Sequence, residues 1–526
     1  MAITMGLGIL VHADFGPTDD HDILNSIFQG RLLPLFVFPE MGRFCPMCFQ
    51  ELNLISVFTD SPVGYFLFQA ASLAVFIFSF SWLLRTVSIN YWHWLAPLSL
   101  ILLAPGFVTI WLRIELCERN LVVLLALFLQ SFLMFEKGRR YMLLPALLAA
   151  ILAMYYKEPV FLLVGVFSTT YWLLQLKNGH RSWNWLSFLL IVSALIYIFI
   201  YYHFAFSQRA YLYGQQEFST ELLAVLAKTI GNFVLNDPLI VFIALPLTGW
   251  RIYRVFRGRS AAEPLFDAML IAATAYAVLF LLLNIFSVYY WTPVYIFAVP
   301  AAIYFFGRDV EFVGIYWKVA AYSVALLYLI SVLPTGIHLI SYYKYVPINY
   351  NATVNFIAND IKQKRYATAP AIYIQGMAPD SASIYYDNLN VFLQARAGLK
   401  ADQFVMHSEA QPATRRHMQV DGSAMKLGDP GYQAFYSVTR FPETIAPKTG
   451  DYLVVIPQTT KNVDRTYLEQ LQESCCERVF STSSPLAVPN YSLKTLLKLA
   501  AKRAGIGKAM GENYYGMPDY YVFVRR

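Results

Sequence analysis

Two adjacent carboxylates, Asp19 and Asp20, stand in the run F-G-P-T-D-D-H-D, with Asp22 close behind. Adjacent carboxylates suit a general base or a divalent cation. They also suit a helix start, where they cap backbone N–H groups and meet the positive end of the helix dipole. Further ionisable groups recur in short segments: Arg113, Glu115, Glu118 and Arg119 in W-L-R-I-E-L-C-E-R-N, Lys157 and Glu158 in M-Y-Y-K-E-P-V, and Tyr289, Tyr290 and Trp291 in S-V-Y-Y-W-T-P. The cations Arg43, Arg113, Arg119 and Lys157, with His203, lie in or near these segments, and the tyrosine hydroxyls could hold a phosphate or sugar. Each has a plainer reading. Glu115 and Arg119 have the spacing of an i,i+4 ion pair. Lys157-Glu158 could be the polar tip of a helical hairpin, with Pro159 opening the next helix. The tyrosines fit an interfacial aromatic belt and His203 a helix end at the membrane surface.

The elements that must position these groups follow from composition. Of 526 residues, 57% are hydrophobic, 17% aromatic and only 14% charged, against roughly 25% charged in soluble domains. Uncharged runs near 62–84, 95–112, 121–135, 141–156, 159–176, 183–203, 238–250, 266–288, 293–306 and 319–340 approach the about 20 residues a helix needs to cross a bilayer. With the short apolar N-terminus counted, about eleven spans are expected. Basic residues gather on alternate loops: Arg85; Lys137, Arg139 and Arg140; Lys177 and Arg181; Arg251, Arg254, Arg257 and Arg259; Arg308 and Lys318. The positive-inside rule puts these in the cytoplasm and the candidate groups outside.

The expected fold is therefore a polytopic α-helical membrane protein with a C-terminal extracytoplasmic α/β domain. Residues 1–340 form the membrane domain, with a first outside loop at 13–61 containing an interfacial amphipathic helix around Ile23, Leu24 and Ile27. A second interfacial helix is expected before Asp237-Pro238. Residues 341–526 form the outer domain, with strands at A-I-Y-I-Q-G, Y-L-V-V-I-P and Y-Y-V-F-V-R-R, helices at V-N-F-I-A-N-D-I-K-Q-K and V-D-R-T-Y-L-E-Q-L-Q, and a loop across 402–442. The net charge of +7 is dispersed, so no nucleic-acid surface is expected. No P-loop or Rossmann glycine motif calls for a nucleotide. Cys45 and Cys48 form a C-P-M-C that reads as a structural disulfide or free thiols, with a redox pair the less economical alternative. The vicinal Cys475-Cys476 is expected not to be bridged to itself, because of ring strain.

The acidic pair after a first span, an interfacial helix behind it, the R-x-E-x-x-E of Arg113 to Glu118, the Lys157-Glu158-Pro159 hairpin and the Tyr-x-x-Pro of Tyr290 to Pro293 together resemble the GT-C superfamily of membrane glycosyltransferases. That group contains protein O-mannosyltransferases and bacterial aminoarabinose transferases. The resemblance implies a polyprenyl-phosphate-sugar donor and a glycan, lipid or protein acceptor in the cell envelope, lipopolysaccharide among them. It implies a bacterial cytoplasmic (inner) membrane and inverting transfer on the outer face. Asp19 or Asp20 would be the catalytic base, with Asp19 preferred as first of the pair. Arg43, Lys157, Arg113, Arg119, His203 and Tyr290 would bind the donor phosphate, and Glu115, Glu118 and Glu158 would support them. A divalent cation, magnesium or manganese, on Asp19, Asp20 and Glu118 stays an open option. The alternatives are an O-antigen ligase or polymerase using a polyprenyl-diphosphate glycan, and a lipid-linked sugar transporter or flippase. Against the transporter, the charges lie at span ends and no paired broken helices or internal repeat are evident in the sequence.

Overall fold

The computed structural model describes all residues except 1, 18–19, 21–22, 25–26, 28–29, 31, 40–41, 89, 180–183, 210–229, 284–286, 309–313, 365–367, 376–384, 387, 409–442, 457–464 and 505–518. Asp19, most of the second interfacial helix and most of the 402–442 loop lie outside the described residues. The chain divides into two compact units. The first comprises Met1–Ile9, Leu35–Glu51 and Leu67–Gly336; the second comprises Leu10–Pro34, Leu52–Phe66 and Ile337–Arg526. Residue 340 lies inside the helix Leu333–Lys364.

Among the described residues, seven helices are long and apolar enough to cross a membrane, or up to nine if each of two bent pairs is one span. The protein is thus a polytopic α-helical membrane protein. Within the first unit, the expected run 121–135 is the helix Glu118–Glu136, 159–176 is Val160–Lys177, 183–203 is Trp185–Phe204 and 266–288 is Pro264–Leu282. The helix Leu143–Tyr156 and its 3-10 lead-in make a shorter apolar helix, and the N-terminal helix Ala2–Leu10 has nine residues, about 14 Å at 1.5 Å per residue.

Two expected spans are broken. The run 95–112 divides into Trp92–Leu102 and Pro105–Leu112, bent by 62°. Ala104 is extended ahead of Pro105, as the proline ring requires of the residue before it. The bend also receives Gly336: a Cβ there would lie 2.0 Å from the Leu103 carbonyl oxygen, so only glycine allows this approach. The second break bends Ile230–Asn236 against Ile240–Phe256 by 107°. At its apex Asp237 is buried and accepts a hydrogen bond from the Tyr295 hydroxyl at 2.8 Å.

The second unit carries a mixed six-stranded sheet in the order β5-β4-β3-β6-β8-β7. These strands are β3 Ala371–Ile374, β4 Val405–Ser408, β5 Glu443–Thr444, β6 Tyr452–Val455, β7 Cys476–Ser481 and β8 Tyr521–Arg525. The first four in that order pair in parallel, and β8 and β7 join antiparallel. Strands β3 and β6 are buried at every position, which explains their continuous apolar runs. The expected helices are present as the end of Leu333–Lys364 and as Arg465–Ser474. Contrary to the strain expectation, Cys475 and Cys476 are bridged to each other. The pair opens β7, and Cys476 is packed with Ala371, Tyr373, Leu453, Val455 and Phe523.

The segment from Leu10 is tied within this unit. Asp14 pairs with Arg396 at 2.5 Å, Phe15 packs edge-on against Tyr65, and Asn351 donates to the Phe15 carbonyl at 3.1 Å. Ile23 and Leu24 are helical and buried.

Candidate functional site

Four carboxylates and four cations meet at the helix ends of the first unit. The pairs are Arg43 with Glu158, Arg119 with Glu51, Lys157 with Glu118, and Arg113 with Glu115. Local structure brings them there. A two-stranded hairpin, β1 Val37–Phe38 with β2 Arg43–Phe44, presents Arg43. Glu51 opens a short helix, Gln50–Ser56. Glu118 and Arg119 open the helix Glu118–Glu136, and Lys157-Glu158 forms the turn between Tyr156 and Val160.

The Glu158 Oε1 atom accepts from Arg43 Nε at 2.8 Å and from the Phe44 N–H at 2.9 Å. Tyr197 and Tyr201, four residues apart on one helix, donate to the Phe44 and Gly42 carbonyls at 2.8 and 3.1 Å, fixing the hairpin beside the turn. Burial alone would raise the Glu158 pKa, but Arg43 and Lys157 overcome it and draw the carboxyl down to about 2. Burial likewise disfavours the charge on Arg43 and Lys157. Their carboxylate partners Glu158 and Glu118 win, and both cations are held charged well above their ordinary range.

Glu51 accepts from Arg119 Nη2 at 2.9 Å and from the Tyr156 hydroxyl at 3.3 Å. Here burial outweighs Arg119, and the Glu51 pKa is raised. The i,i+4 pairing of Glu115 with Arg119 does not form. Residues 114–117 precede the helix rather than belong to it, so Arg119 reaches Glu51 and Glu115 takes Arg113.

Lys157 lies 2.7 Å from Glu118 Oε1, off hydrogen-bond geometry, and its ammonium stands over the Tyr290 ring at 4.4 Å. Arg119 is fully buried, and its Nε has no hydrogen-bond acceptor. Three thiols pack beneath these pairs. Cys45, Cys48 and Cys117 form a buried cluster with Tyr156, all three unbridged, and Cys48 donates to the Tyr156 carbonyl at 2.9 Å. Burial pushes the Cys45 and Cys48 thiols up, away from thiolate chemistry.

The structure thus assembles Arg43, Arg113, Arg119, Lys157, Glu115, Glu118, Glu158 and Tyr290 from the sequence-derived set. Glu51, a carboxylate of the first outside loop, joins them through Arg119. His203 is exposed and stacks on Phe199. Asp20 belongs to the second unit, where it is buried and accepts from the Gly16 N–H at 2.6 Å. Asp237 is a buried carboxylate whose role sequence reasoning passed over; the signal available was a carboxylate followed by proline inside an apolar run.

Among the described residues no group of three His, Cys, Asp or Glu side chains is arranged to hold a metal ion. Glu118 is paired with Lys157. The metal option on Asp19, Asp20 and Glu118 includes Asp19, which lies outside the described residues.

A bundle of apolar helices with buried charges at its helix ends and an α/β unit defines the class as a polytopic membrane protein with a candidate site at the bundle end. No family profile and no curated protein sequence matches the chain. Among solved structures, the crystal structure of ArnT from Cupriavidus metallidurans bound to undecaprenyl phosphate is similar over 91% of this chain and 95% of that one, with a TM-score of 0.48 and 12% identity.

Proposed function

We propose that the protein is a membrane glycosyltransferase that moves a sugar from a polyprenyl-phosphate carrier to a cell-envelope acceptor on the outer face of a bacterial cytoplasmic membrane. The observation that carries this reading is Lys157: a buried ammonium at the end of the helical bundle, ion-paired but off hydrogen-bond geometry, with the Tyr290 ring over it. Buried ion pairs commonly return less than their desolvation takes, and ionisable groups at membrane depth are functional candidates by default. A phosphate on a lipid carrier arrives at this depth, and an ammonium with spare donors is suited to it. Undecaprenyl phosphate is the ligand of the ArnT structure; for this chain the proposal rests on its own charged groups.

In the proposed reaction Asp19 or Asp20 takes the proton of an acceptor hydroxyl as its oxygen attacks the anomeric carbon. The bond from that carbon to the phosphate oxygen breaks, and the polyprenyl phosphate leaves with the electron pair, inverting the centre. Lys157 and Arg43 oppose the charge that grows on the phosphate, while Glu118 and Glu158 hold those cations in place. Transfer from radiolabelled polyprenyl-phosphate sugars in membranes expressing the chain tests this. Loss of transfer in Asp19→Asn or Asp20→Asn identifies the base. Full transfer in both variants would remove the base assignment, and no transfer from any such donor by the wild type would remove the function.

A further inference from the structure

We infer that the end of the bundle away from the ion-pair cluster holds a discrete binding site for an anionic phospholipid. The helix Val160–Lys177 connects the two regions, following the Lys157-Glu158 turn and ending in Lys177, about 27 Å away at 1.5 Å per residue. At that far end a small apolar cleft opens between three helices, walled by Leu174, Ile252, Val255, Phe256, Leu270 and Ile271. The charges on its wall cancel, because Arg251 is bound to Asp267 through two hydrogen bonds of 2.8 and 2.9 Å. The cleft itself suits a hydrocarbon chain.

Its rim is cationic. Lys177 donates to the carbonyl of the cleft residue Val255 at 2.9 Å and stands over the ring of the cleft residue Phe256. Arg257 and Arg259 converge on the Tyr253 ring, 5.8 and 5.5 Å from its centre. Lys177, Arg257 and Arg259 are exposed, and among the described residues they meet rings and a carbonyl, so their charge stays available to an anion. Tyr253 and Phe256 are also exposed, in the manner of an interfacial belt. Guanidinium and ammonium groups around an apolar slot match a phosphate head with its acyl chain below, whereas a zwitterionic head would bring its own cation against them. This inference does not depend on the transfer reaction.

The test uses the purified full-length protein, stripped of lipid and offered equal phosphatidylglycerol and phosphatidylcholine of one chain length, with bound lipid counted by native mass spectrometry. The wild type is expected to retain phosphatidylglycerol preferentially. At about fivefold per cation near an anionic surface, the triple variant Lys177→Gln, Arg257→Gln, Arg259→Gln should lower that preference by on the order of a hundredfold. Ile252→Trp, which fills the cleft and leaves every cation in place, should reduce occupancy as well. Unchanged thermal unfolding of both variants in lipid-free detergent establishes that they are folded. Equal retention of the two lipids by the wild type, or a preference kept by the triple variant, overturns the inference. Preference lost in the triple variant but untouched by Ile252→Trp also overturns it, since the cations would then be attracting a lipid surface without a cleft.

Discussion

At the far end of the helix Val160–Lys177, every nitrogen of the Arg251 guanidinium donates a hydrogen bond. Two hydrogen bonds run to Asp267, one to the Ser260 hydroxyl and one to the Ala261 carbonyl, with the Phe305 ring 4.2 Å away. At the other end, Lys157 meets Glu118 off hydrogen-bond geometry and Arg119 keeps an Nε without an acceptor. Both regions bury opposite charges, and the Arg251 pair bonds every nitrogen of its cation while Arg119 does not. A closed, bidentate pair braces helices against each other. An ion pair with spare donors keeps the ability to recruit an anion, and that distinction locates the functional end of the bundle.

The largest expected effect breaks the brace. Asp267→Ala strands the Arg251 guanidinium in the bundle, and removing one partner of a buried pair costs about 3–5 kcal/mol. Thermal unfolding in detergent should show a large loss of stability, with transfer per folded molecule kept. Lost transfer at undiminished stability would move the functional end to Arg251. The double variant Lys157→Met, Glu118→Met makes the complementary cut. With both charges replaced by apolar side chains, stability should change little, while transfer should fall about 10²–10³-fold, the usual effect of deleting one electrostatic stabiliser. A double variant that is well folded and fully active would reduce the cluster to another brace.

The contrast between these pairs was only half legible in the sequence. Spans could be read because apolar runs end at charged punctuation, and the buried strands β3 and β6 because every residue in them is apolar. The break before Pro105 could not, since it accommodates Gly336, more than two hundred residues along the chain. Strands β4 and β7 carry polar residues and leave no periodic signal, and the short basic helix Leu493–Arg503 was also unforeseen. The candidate charges were individually visible, but pairing is a tertiary property. The local rule favoured Glu115 with Arg119, whereas the fold pairs Arg119 with Glu51 across 68 residues. Arg251 was read as one of several cytoplasmic loop charges, and its partner lies in the first turn of the next helix.

Acid probes the cluster directly, because it contains a carboxyl whose ionisation is coupled to folding. Glu158 is drawn from its ordinary 4.5 down to about 2, despite burial, by Arg43 and Lys157. A depressed carboxyl contributes stability that is complete above its unfolded pKa and is lost as pH falls through the folded value. At 1.36 kcal/mol per pH unit that contribution is about 3 kcal/mol. The stability advantage of wild type over Glu158→Gln should therefore be full above about pH 4.5 and fade toward pH 2. An advantage that does not vary across this window would mean that Glu158 acts through the Phe44 N–H and packing alone.

The smallest effect concerns the hairpin that presents Arg43. Tyr197 donates to the Phe44 carbonyl at 2.8 Å from a fully buried position, and one such hydrogen bond contributes about 0.5–1.5 kcal/mol. Tyr197→Phe keeps the ring, with its edge contacts to Phe44 and Tyr155, and removes only the hydroxyl. Stability should fall by about 1 kcal/mol. Because the hairpin then holds Arg43 less firmly against Glu158, transfer should fall in kcat more than it rises in KM for the lipid-linked donor. Adding Tyr201→Phe, which frees the Gly42 carbonyl on the same hairpin, should deepen the kcat loss. If the double tyrosine variant loses stability with unchanged kcat, the hairpin is scaffolding and Arg43 contributes nothing to the departing phosphate, leaving Lys157 as the cation that separates this end of the bundle from the other.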